Sequence, residues 1–165
     1  MDYHLDKEDL VASRDEMGFS KFLTNEDIAE SHNYPIVVSY KLIDTQTKYN
    51  FLQEMSERET TAYFRIMQKF SSYTLNELID ERRREYHLYR TDIRGNLKKA
   101  IKDLTTIDYN NNELMFYHFA LYTDKDVIAD RNTGEKSPRI YFILGAYGTI
   151  YPVFYDPYHE LNPIK

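Results

Sequence analysis

Asp156 and His159 stand three residues apart in the run Asp156-Pro157-Tyr158-His159-Glu160, just beyond an aromatic stretch that reads as a strand. An imidazole beside a carboxylate can move protons near neutral pH. RNA cleavage by 2′-hydroxyl attack needs a base, an acid for the leaving oxygen, and cations on the crowded phosphate. His159 tuned by Asp156 could be the base, Tyr155 or Tyr141 the acid, and Arg139 with Arg90 or Arg94 the clamp. A plainer role fits the same residues. Asp-Pro opens turns, and an Asp-x-x-His spacing can close one through a side-chain hydrogen bond.

A second constellation lies upstream. Arg82, Arg83, Arg84, Arg90, Arg94, Lys98, Lys99 and Lys102 place eight bases in 21 residues, with Glu85 and Asp92 as the acids among them and Tyr86, His87 and Tyr89 interleaved. Cations neutralise phosphates while rings stack on bases at about 1–3 kcal/mol per base, so this pattern fits a single-stranded nucleic acid. It also fits a solvated face whose arginines pair with glutamates three residues away.

These residues need elements to hold them. Arg139 to Leu144 and Thr149 to Tyr155 are apolar, aromatic-rich runs joined by Gly145-Ala146-Tyr147-Gly148, which predicts the central hairpin of an antiparallel sheet. Leu114 to Tyr122 predicts a third strand beside it. Ile36 to Ile43 is β-branched and predicts a strand, with Lys48 to Leu52 as its hairpin partner across Asp44-Thr45-Gln46-Thr47. Between them the period changes. Ser56 with Glu59 forms a capping box, and Tyr63, Ile66, Met67 and Phe70 share a helical face, so a helix is expected from Glu57 to Ser71. A second box, Thr74 with Glu77, predicts a helix reaching Tyr86, and Leu97, Ile101 and Leu104 give a third its buried side. The polar run Asp124 to Lys136 reads as a long loop. The expected fold is therefore α+β, ordered β-β-α-α-α-β-β-β, with an antiparallel sheet of about five strands and the helices on one face.

Length and composition limit the rest. With 165 residues the chain fits one domain burying roughly 70% of its unfolded surface. Sixteen tyrosines and nine phenylalanines without tryptophan favour a broad aromatic surface with wet hydroxyls. There is no cysteine, so disulfides, thiolate metal sites and cysteine nucleophiles are excluded. No apolar run reaches membrane-spanning length and the start MDYHLDKEDL lacks a signal-peptide layout, so a cytoplasmic protein without a membrane partner is expected. The net charge of -6 resides in residues 1–33, where nine acids face Lys7, Arg14 and Lys21. That stretch reads as an acidic arm, either a loose tail or a strap over a basic groove, and residues 34–165 as the domain. His87, His118 and His159 occur singly, so no metal site is expected. Without a P-loop, GxGxxG or GxSxG no cofactor is implied either.

The closing motif carries a resemblance. Arg139, Ile140, Phe142, Phe154, Asp156, Pro157, His159, Leu161 and Pro163 give a strand followed by Asp-Pro-x-His-x-Leu-x-Pro, which resembles small uncharacterised bacterial and mobile-element proteins ending in that signature. A weaker likeness, in the order of elements, is to RelE/ParE-type toxins, some of which cleave messenger RNA with basic, tyrosine and histidine side chains. Those proteins are shorter and strongly basic, and no catalytic residue transfers from them. Two functions are therefore expected to compete. One is an interaction module of a bacterial or mobile-element system, holding a protein partner through a tyrosine-rich sheet face or the acidic arm. The alternative is a toxin-like, metal-independent ribonuclease using His159.

Overall fold

The computed structural model describes residues 33–51, 55–104, 116–122, 137–145 and 147–163. The acidic arm, apart from Asn33, and the loop expected over Asp124 to Lys136 lie outside the described residues, as do Leu52, Leu114 and Met115. In chain order the elements are β1 (Val37–Val38), α1 (Glu57–Phe70), the π-helical turn α2 (Glu77–Glu81), β2 (Tyr89–Thr91), α3 (Gly95–Asp103), β3 (Phe116–Ala120), β4 (Arg139–Leu144) and β5 (Thr149–Asp156). The strands form one sheet in the order β1-β5-β4-β3-β2. The fold is α+β, as expected, with β3, β4 and β5 as an antiparallel meander and β4 at its centre.

The sheet is mixed rather than wholly antiparallel, because β1 pairs with β5 in parallel. The expected hairpin of Ile36 to Ile43 with Lys48 to Leu52 does not form, for two physical reasons. The amides of Val37 and Ser39 donate to the carbonyls of Gly148 and Ile150, and the next bond of a parallel ladder would need the N–H of residue 152. That residue is Pro152, which has none, so β1 ends after two residues. Downstream, the buried Asp44 carboxylate accepts the amides of Gln46 (2.9 Å) and Thr47 (3.1 Å) and the Thr47 hydroxyl, which favours a closed turn over a strand. The turn then lies along β5, with Asp44 N–H donating to Val153 O and Tyr155 N–H to Tyr49 O. Register between β4 and β5 shifts at Tyr141/Phe142, leaving Val153 as the extra residue of a bulge.

The helices follow their caps. Ser56 Oγ accepts the Glu59 amide while the Glu59 carboxylate accepts the Ser56 amide, and α1 turns Tyr63, Ile66, Met67 and Phe70 inward. Phe70 meets Phe119 with ring centres 5.2 Å apart, which places α1 over the face that β3, β4 and β5 line with Phe119, Ile140 and Tyr155. The Thr74–Glu77 box is also formed, but the helix behind it is short and π-helical and does not reach Tyr86. In its place the basic run contributes β2, so the order of elements departs from the expected one there. The core is aromatic, with Phe70, Phe116, Phe119 and Phe154 wholly buried.

Candidate functional site

Strand alternation sorts the candidate residues. Arg139 lies opposite Asp156 on β4 and β5, and Tyr141 and His118 occupy the adjoining positions of the same face. Tyr155 pairs with Ile140 on the other face, where its ring packs on Phe51 with centres 6.3 Å apart. It is therefore separated from Asp156 by the sheet itself. The acid role left by that separation would fall to Tyr141, which is fully buried; burial, reinforced by Asp156 and opposed by Arg139, raises its hydroxyl to about 12.

Asp156 and His159 are close, yet their bonds are those of a closed turn. The Asp156 carboxylate, 0% exposed, accepts the amides of Glu160 (3.0 Å) and Leu161 (2.8 Å). Burial raises its pKa above the ordinary carboxylate value, and those amides together with His159 pull the other way. His159, 6% exposed, takes a left-handed backbone (φ 58°) and bonds through Nε2 to the Ser137 carbonyl. An imidazole bonded to a carbonyl oxygen is donating its proton there, so the ring fastens the bend to the segment that leads into β4. Arg139 Nη1 reaches the Asn162 carbonyl (3.4 Å). Asn96 Nδ2 donates to the Glu160 carbonyl (2.8 Å) and the Leu97 amide to that of Leu161 (3.2 Å), so the corner does abut the start of α3. Contact is made through backbone, with the imidazole inside.

The basic segment is divided among elements. Arg82 caps α2, pairs with Glu85 (3.6 Å) and lies 5.5 Å from the Tyr73 ring centre. Arg83 and Arg84 follow in an exposed turn, Arg90 sits on edge strand β2, Arg94 caps α3, and Lys98 and Lys99 are exposed on α3. Of the interleaved rings, Tyr86 is buried against Phe70, while Tyr89 and His87 remain exposed. Arg90 points to the Tyr117 face and its neighbours Tyr89 and Thr91 to the His118 face, so the run does not make a single stripe.

Sequence reasoning passed over His118 as an isolated histidine. Its Nδ1 bonds to Thr91 Oγ1 (2.6 Å) and its ring lies 5.4 Å from that of Tyr141. Burial, aided by Arg139, His159 and His87, depresses its pKa to about 3. Alternation with Phe116 and Ala120 was the available signal, but it becomes informative only once the β3–β4 register is known. Among the described residues no three His, Asp or Glu side chains gather as metal ligands, and no helix is long and apolar enough to cross a membrane.

Of the tyrosines on the central strands, Tyr141 and Tyr155 are buried and Tyr117 and Tyr151 half-buried. Of the exposed rings, Tyr89 lies on edge strand β2 and Tyr34 and Tyr147 lie by β1, while Phe64 is on α1 and Tyr158 in the turn after β5. At the β1 edge Tyr34 and Tyr147 meet edge to face with centres 5.7 Å apart, beside Val37 at 57% exposed. No family model, no curated protein and no solved structure matches this chain.

Proposed function

We propose that this chain is a non-enzymatic interaction module that holds a protein partner along the β1 edge. The resemblance of its closing motif fits a bacterial or mobile-element setting. One observation carries the reading: Val37 on the two-residue edge strand, Tyr34 just before that strand and Tyr147 in the turn between β4 and β5 are all exposed, with the two rings in contact. With Val37 N–H and Ser39 N–H turned toward β5, alternation turns the N–H of Val38 outward, as a partner strand would require. Amphipathic rings with few rotatable bonds lose little entropy on docking and anchor many interfaces.

The ribonuclease alternative requires His159 to meet a phosphate, and its burial against Ser137 weighs against that. A photo-reactive phenylalanine analogue at position 147 in host cells tests the module. One discrete adduct, lost on Val37→Asp without a change in melting temperature, is the expected result. No adduct at 147, together with RNA cleavage in EDTA that His159→Ala abolishes, would overturn it.

A further inference from the structure

A cleft of about 610 Å³ lies between the turn that Asp44 closes and helix α3, and it shares no residue with the β1 edge. Its volume is that of a small-molecule site. One wall runs from Gln46 to Tyr49; the other is Asn96, Lys99, Ala100 and Asp103, which recur at helical spacing on one face of α3. Glu160 joins the walls. Its carboxylate accepts the Lys48 ammonium and the Tyr49 hydroxyl (3.4 Å), and its carbonyl accepts Asn96 Nδ2 (2.8 Å). Glu160 is placed in turn by the buried Asp156, whose carboxylate accepts its amide (3.0 Å), so the cleft is held open by the fold before any ligand arrives.

Two charges in the lining are left over. Lys99 and Asp103 are both exposed, and among the described residues neither has an ionic partner. They stand four residues apart on one helix face yet do not pair with each other, a cation preceding an acid being the weaker order for such a pair. Asp103 is also the last residue of α3, where the helix carbonyls present their negative end, so a carboxylate there is disfavoured and a cation is wanted beside it. On the facing wall the Lys48 ammonium has N–H donors beyond the one given to Glu160. A lone anion in the cleft would meet Asp103, and a lone cation would meet Lys99 and Lys48. A molecule that carries both charges suits all three.

We propose that this cleft binds a small zwitterion of the free α-amino acid class, its carboxylate on Lys99 and Lys48 and its ammonium on Asp103 at the C-terminal end of α3. The closing Asp-Pro-x-His-Glu turn then has a role beyond its own stability, because it holds Glu160 between the two walls. Binding here is independent of any partner at the β1 edge.

Titrating the isotopically labelled full chain with the common free amino acids, one at a time, tests the site through its amide resonances. One of them should shift the amides of Gln46, Lys48, Lys99 and Asp103 saturably. Its N-acetyl derivative, which lacks the cation, and its methyl ester, which lacks the anion, should each bind about tenfold more weakly. Lys99→Gln and Asp103→Asn should each cost a similar factor, and because both side chains are exposed the melting temperature should stay where it is. No saturable shift with any amino acid overturns the proposal. So does an ester or acetyl derivative that binds as tightly as its parent, or binding that survives both substitutions. Shifts reproduced by inorganic phosphate at the same affinity overturn it as well, since the cleft would then be recognising an anion alone.

Discussion

The Asp156–Asn162 corner and the β1 edge invert what their residues lead one to expect. The corner is polar and titratable, yet its carboxylate is wholly buried and its imidazole is committed to a backbone carbonyl. The edge is apolar and aromatic, yet it is out in solvent. A buried carboxylate that accepts backbone amides, as Asp156 does, holds a turn, because leaving those amides unsatisfied would cost stability. An exposed ring pair beside a short strand gains nothing for the fold from its exposed area, and it is this area that the proposed binding would use.

The sharpest way to break this comparison is Asp156→Ala. It strands two amides in the interior and should lower unfolding stability by about 2–4 kcal/mol in a denaturant titration. A variant of unchanged stability would return the corner to chemistry. Next comes pH. His118 is neutral in the fold because its pKa is depressed to about 3 from 6.5, so its contribution is complete above 6.5 and is lost as pH falls toward 3. The limiting slope is about 1.4 kcal/mol per pH unit. Asp156 has the opposite sign, its raised pKa relieving an ionisation cost as pH falls. Melting temperature should therefore decline from pH 6.5 to 4.5, and His118→Asn should flatten that decline; an equal decline in the variant would remove His118 from the account.

Gly148→Ala probes the junction of the two strands at the edge. Gly148 has φ 71° and an added Cβ would meet the Pro35 carbonyl oxygen at 2.8 Å, so about 1–2 kcal/mol should be lost. Unchanged stability would mean that β1 shifts freely on β5. The smallest expected effect is at the edge itself. Val37→Thr and Tyr147→Ser should change stability by less than about 0.5 kcal/mol while weakening capture of the partner. A large loss of stability there would make the edge structural and erase the contrast.

Legibility followed the range of the interactions. The Ser56–Glu59 box, the inward face of α1 and the β4–β5 hairpin were readable, because residues within one or two turns of each other decide them. Strand β2 was not, since Tyr89–Thr91 is three residues long and lies in a basic run whose pairing is fixed by β3. The first hairpin failed for a similar reason: Asp44 acts locally, but Pro152, which ends β1, is more than a hundred positions away.

The sequence by itself determined the α+β class, the caps and the meander, because near neighbours and strand alternation decide them. Tertiary structure alone decided that β1 runs parallel to β5, that His118 joins Tyr141 and Arg139, and that His159 is enclosed by the residue-137 carbonyl. Register and burial are set by partners distant in the chain, and a local pattern of residues carries no record of them.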